Sequence, residues 1–117
     1  MQQKHLDIRR SGLNEGAMDT RLVFEAIALR KCVDAVYNRM AVTLAPHILY
    51  TRHDELFIDA VTVEREGQPP REIKIGTFKL AGLKDLTLGS KPFDPNPLFD
   101  PSDPKYEGTT LFAVETS

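Results

Sequence analysis

Arg71, Lys74 and Lys79 share one stretch of sequence with Phe78, and two more rings, Tyr50 and Phe57, stand in the strand-like runs that precede them. Ammonium and guanidinium groups neutralise phosphates and ring faces stack on bases, so this set has the composition of a groove for a nucleotide or single-stranded nucleic acid. Phe57, Lys74, Phe78 and Lys79 are the candidate ligand contacts, with Tyr37 and His47 as candidate hydrogen-bond partners. Lys74 and Phe78 share a strand parity, and Lys79 joins them only if Gly76 bulges. The alternative is a solvated strand face over a core, which the interspersed acidic residues and the core-like parity of the rings favour.

Other chemistry has less to stand on. His47, His53 and Asp54 are metal-ligating types, but no fourth ligand lies at a recognised spacing, so no metal is expected. Cys32 follows Arg30 and Lys31, whose charges favour a thiolate, yet a cysteine at the start of an apolar strand reads more simply as a small buried hydrophobe. Asp54, Glu55 and Asp59 are the carboxylates near the ring-bearing strand, and turn polarity accounts for the first two. No phosphate-binding glycine loop, nucleophile elbow or zinc-protease helix motif occurs. The expectation is a binding module without cofactor, not an enzyme.

Composition sets the frame for these residues. The chain has 117 residues, 41% of them apolar and 27% charged. That is ordinary globular usage, and one domain of this size buries roughly two-thirds of its unfolded surface. Fifteen basic against 17 acidic residues give a net charge of -2, so no global field draws the chain to polyanions and any such site is local. A single cysteine excludes an internal disulfide framework, and no apolar run reaches the roughly 18 residues that span a bilayer. Met1 to Arg10 is too polar for a signal peptide, so a cytoplasmic location without membrane contact is expected.

The elements that must position the candidates follow from periodicity. Residues 1–18 hold charges, Gly12, Asn14 and Gly16 without a sustained apolar period, and read as an arm or linker. Asp19 or Thr20 offers an N-cap for a helix whose apolar residues are Leu22, Val23, Ala26, Ile27 and Leu29. From Cys32 the period becomes two. A first strand runs to Tyr37, a second carries Val42, Leu44, Ile48 and Tyr50 on one parity with a bend or bulge at Pro46, and a third spans Leu56 to Val63. A fourth run flips parity from Ile73 and Ile75 to Phe78 and Leu80, which predicts a bulge at Gly76. Leu83, Leu86 and Leu88 mark a last strand. Five prolines between Pro92 and Pro104 predict an extended segment, and Leu111 to Val114 an added strand. Short kinked strands favour closure into a barrel.

From Val23 to Phe93 this order resembles the WYL domain family of bacterial transcription regulators. The residues that carry the likeness are the helix Val23-Phe24-Glu25-Ala26-Ile27, a strand ending in Tyr37, the strand Ala45-Pro46-His47-Ile48-Leu49, the triplet Leu56-Phe57-Ile58, the stretch Phe78-Lys79-Leu80-Ala81-Gly82-Leu83, and Phe93. The resemblance implies an α+β, mostly β fold: one N-terminal helix packed on a five-stranded antiparallel Sm-like or SH3-like barrel over 19–93, followed by an extended proline-rich segment over 94–117. It also implies a regulatory module that senses an anionic ligand such as single-stranded nucleic acid, with a homodimer and a separate DNA-binding domain as possible partners. Gly82 stands where the family usually has an arginine, and the triplet lacks tryptophan and tyrosine. A degenerate interaction or dimerisation module is the alternative those departures suggest.

Overall fold

Helix formation begins well before the first apolar repeat. In the computed structural model, which describes residues 4–116 and side chains from Gly16 onward, helix α1 spans Lys4–Leu29. The stretch expected as an arm is therefore helical from Lys4, and Met1 to Gln3 lie outside the described residues. No proline interrupts it, and its two glycines cost about 1 kcal/mol each without blocking the helix. Asp19 and Thr20, expected as caps, lie inside it, and the Thr20 hydroxyl donates to the Gly16 carbonyl at 2.9 Å. Arg30, in the left-handed region at φ 56°, stops the helix.

Six strands follow: β1 (Lys31–Tyr37), β2 (Met40–Arg52), β3 (Glu55–Arg65), β4 (Ile75–Lys79), β5 (Lys84–Pro92) and β6 (Thr110–Ala113). Their sheet is antiparallel in the order β4-β3-β2-β1-β5, with β6 paired to β2. Residue pairs with positive φ, Asn38-Arg39 and His53-Asp54, make the tight turns β1–β2 and β2–β3, the geometry that matches strand twist. Long β2 has two neighbours along one edge, β1 beside Met40–Leu44 and β6 beside Ile48–Tyr50.

The expected irregularity at Pro46 is present. Pro46 opposes Ala60 and Ile48 opposes Asp59, so His47 is the extra residue of a bulge. One extra residue exchanges the faces, so Val42 and Leu44 do not share a face with Ile48 and Tyr50 as the parity suggested. Leu49 instead lies with Ile58 on the helix-covered side, and Tyr50 turns to the other side beside Asp59. At Gly76 the expected bulge is absent: β3 and β4 stay in register from Phe57–Lys79 to Val61–Ile75. Parity flips because both faces bury apolar groups, Ile75 against the Cys32, Ala45 and Val61 cluster and Phe78 against the main core. A Cβ at Gly76 would stand 3.3 Å from the Phe78 ring, which accounts for the glycine.

The expected barrel closure is not reached. β4 and β5 lie at opposite ends of the strand order and are joined through a short 3-10 helix, Leu80–Gly82, that buries Leu80 rather than pairing the two strands. The main core lies between α1 and the concave side of the sheet, built from Val23, Ile27, Val33, Leu44, Leu49, Ile58 and Phe78. The proline-rich segment, expected to be extended, crosses the opposite face of β2 and β3 as a strap of successive turns with a 3-10 helix at Pro104–Tyr106. Among the described residues no helix is long and apolar enough to cross a membrane.

Candidate anion-binding cleft

Two buried polar side chains lie under the strap, and each is satisfied jointly by the strap and by the sheet beneath it. Asp59 accepts hydrogen bonds from Tyr50 at 2.7 Å and Thr77 at 2.8 Å on one oxygen, and from Tyr106 at 2.5 Å on the other, which also meets the Lys105 ammonium at 2.9 Å. Burial alone would raise this carboxyl, but the bonds from Tyr106, Tyr50, Lys105 and Thr77 outweigh it and hold it below the usual range. Burial first, then its bond to Asp59, pushes the Tyr50 phenol up to about 12. One bulge away, His47 bonds the Ala45 carbonyl through Nδ1 at 2.8 Å and accepts from the Asn96 amide on Nε2 at 3.0 Å, so Nδ1 carries the proton. Burial lowers its pKa against the opposing Ala45 bond. Phe93 and Phe99 flank the imidazole at 5.0 and 5.3 Å.

The sequence-derived candidates therefore separate. His47 is a structural anchor inside the molecule. Phe78 is buried in the main core, and Tyr37 packs edge-on against it at 5.1 Å. Phe57 and Lys79 face each other across β3 and β4, as neighbours of a different kind from those expected. Lys79 is tied to Glu55 at 2.8 Å, and the Arg52 guanidinium lies 5.8 Å from the Phe57 ring. The adjoining cleft, lined by Asp19, Asp54, Glu55 and Lys79, is acidic and does not suit an anion.

Lys74 stands apart, five residues and roughly 16 Å of strand rise from Lys79. It lines a cleft of about 600 Å³ at the β3–β4 loop with Arg65, Arg71, Glu72, Gln68 and the Pro69-Pro70 pair. A tight turn at Glu66-Gly67, with φ of 51° and 77°, folds the loop back so that Arg65 and Gln68 bridge. Arg71 and Lys74 arrive from the far side of the loop. Lys74 meets Glu72 only at 3.9 Å with both side chains about 70% exposed, too weak a pair to quench the charge. Among the described residues, neither Arg65 nor Arg71 has a carboxylate within ion-pair distance. Three cations against one carboxylate, beside apolar proline faces and in a volume typical of ligand pockets, can hold a phosphate or carboxylate group.

Sequence reasoning singled out Arg71 and Lys74 but not Arg65, because only the hairpin return places the end of β3 beside them. It also missed Asp59, Lys105 and Tyr106 as one cluster. A signal was present: Asp59 interrupts the apolar run Leu56-Phe57-Ile58 and Ala60-Val61, where a charge must find partners. Cys32 is buried, and burial raises its thiol, which places it with the core. His53 and Asp54 occupy the β2–β3 turn, while both ring nitrogens of His47 are engaged elsewhere.

Compared with known proteins, the chain matches no family model, no curated protein and no solved structure.

Proposed function

We propose that this protein is a non-enzymatic sensing module that binds an anionic ligand, a nucleotide or a short single-stranded nucleic acid, in the β3–β4 loop cleft. The observation that carries the reading is the convergence of Arg65, Arg71 and Lys74 on one exposed cleft in a chain whose overall charge is negative. In a chain of this balance, three cations with only Glu72 among them form a local field that attracts phosphate. Pro69 and Pro70 offer flat apolar surface for the uncharged part of the ligand. The strand order, the leading helix and the 3-10 link between β4 and β5 accord with the resemblance to the WYL family, and a role in transcription regulation rests on that resemblance alone. A binding role also accords with the use of His47 and Asp59, whose hydrogen-bonding capacity is spent within the chain, on the sheet and the strap.

Fluorescence anisotropy of labelled oligonucleotides and nucleotides, across a salt series, tests this. Saturable binding is expected to weaken with salt, with a log–log slope of up to about -2 for three contacts on a single strand. Arg71→Ala and Lys74→Ala should each weaken it, whereas Lys79→Ala, outside the cleft, should not. No saturable binding at about 100 μM protein, far above ordinary specific affinities, overturns the proposal.

A further inference from the structure

Regular alternation along β3 would send Thr62 and Arg65 to opposite sides of the sheet, yet both line the β3–β4 loop cleft. The strand register explains this. Thr43 opposes Glu64 and Leu44 opposes Thr62, so Val63 is the extra residue of a second bulge. Thr62 and Arg65 therefore share the face on which their partners Leu44 and Val42 are buried. Continued by one pair beyond Val61–Ile75, the β3–β4 register sets Lys74 opposite Thr62, with Cβ atoms about 5 Å apart. The Thr62 side chain is half-buried, and its hydroxyl makes no hydrogen bond among the described residues. The carboxylates that flank Arg65 in sequence are engaged elsewhere: Glu66 accepts from the Ala41 amide at 2.7 Å, and Glu64 meets Lys91 at 3.0 Å.

Charge and the absence of rings narrow what this cleft can select. Arg65, Arg71 and Lys74 against Glu72 leave an excess of two positive charges. A terminal phosphate monoester carries about -1.5 to -2 charges near pH 7, whereas each internal phosphate of a strand carries a single one. Single strands are also held by aromatic platforms on which successive bases stack. None of the six Phe and three Tyr rings lines the cleft, and each packs against another aromatic ring elsewhere. Along β4 the surface turns acidic, because Lys79 is bound by Glu55 at 2.8 Å and shares its cleft with Asp54. A strand running that way would leave the cations and meet carboxylates, whereas a strand end or a free nucleotide needs only the cleft. We infer, resting on the anion binding proposed for this cleft, that the group it selects is a terminal phosphate monoester, held by Arg65, Arg71 and Lys74 and accepting a hydrogen bond from Thr62.

Calorimetric titration with AMP, adenosine, and oligonucleotides of about three and about twelve residues, each ending in a 5′-phosphate or a 5′-hydroxyl, tests this. The 5′-phosphate is expected to raise affinity at least about tenfold at either length, and the longer strand to bind within about twofold of the shorter. AMP should bind and adenosine should not. Equal affinity for AMP and the phosphorylated strands would identify the free nucleotide as sufficient, and tighter binding of the strands would identify a strand end; both support the inference. Thr62→Val, which keeps the β-branched shape, should lower affinity for AMP about tenfold, and Thr62→Ser should restore it. Hydroxyl-ended strands that bind as tightly as phosphorylated ones, or affinity that climbs with length, would overturn the inference and leave anion binding standing. Wild-type affinity in Thr62→Val would overturn the role of the hydroxyl. Failure of every one of these ligands to bind would overturn the anion-binding proposal as well.

Discussion

The strap-covered face of β2 and β3 and the β3–β4 loop cleft both gather charged groups, yet they do so in opposite ways. Under the strap, Asp59 is wholly buried and receives three hydroxyls and an ammonium, and His47 uses both ring nitrogens. Every polar atom there answers another within the chain. In the cleft, Arg65 and Arg71 are exposed and meet no carboxylate among the described residues, and Lys74 has only a distant one. Charge that a fold has desolvated and paired holds the fold together, whereas charge left concentrated and unpaired at a concave surface remains available to a ligand. The buried, hydrogen-bonded polar groups His47 and Asp59 are therefore structural, and the binding candidates of the cleft are exposed.

Removing the centre of the closed region should have the largest effect. Asp59→Ala leaves Lys105, Tyr50 and Tyr106 without their common acceptor beneath the strap, and urea unfolding is expected to show a loss of about 3–5 kcal/mol. An unchanged midpoint would mean that the strap contributes little to stability.

A smaller, pH-resolved loss is expected from the histidine. Folding lowers the His47 pKa from its ordinary 6.5, so its contribution is complete above that value and declines as pH falls through the lowered one. Asp59 acts in the same direction but further down, with its contribution present above 3.8 and lost as pH falls through a lower value. Thermal unfolding should therefore weaken in two steps on acidification. His47→Phe should abolish the upper step while costing about 1–3 kcal/mol at neutral pH, because the Asn96 amide and Ala45 carbonyl lose their partner. A wild-type melting temperature that stays flat from pH 7 to about pH 5 would show that the imidazole is not held neutral by burial.

The open region should show the smallest stability effect. Lys74→Ala is expected to change unfolding free energy by no more than about 0.5 kcal/mol, since an exposed side chain with a 3.9 Å partner contributes little. A loss above 1 kcal/mol would place Lys74 among the structural residues and erase the contrast between the two regions.

Much of this arrangement was legible in the linear chain because it depends on local rules. Alternation identified β1 and β3, Pro46 marked the irregularity in β2, and the three- and four-residue spacing of Val23, Ala26 and Ile27 marked the buried stripe of α1. The helix before Met18 was not legible, since its residues follow no apolar period. The Gly76 parity flip was misleading for a related reason: one strand buries apolar groups on both faces, and alternation cannot say which of two cores a residue joins.

What the chain determined by itself was therefore the identity and order of its elements, their turns, and the local character of any anion site in a chain of net charge -2. Tertiary structure alone decided which polar groups meet. The bulge at His47 turned Tyr50 toward Asp59, and the strap brought Tyr106 to the same carboxylate from 47 residues away. It likewise brought Arg65 to the mouth of the cleft and moved Phe78 into the core, splitting a set of residues that shared one stretch of sequence. The reason is that periodicity reports which side of its own element a residue occupies. Pairing between distant segments depends on how strands curl and cross, and that is set by the energy of the whole packed sheet.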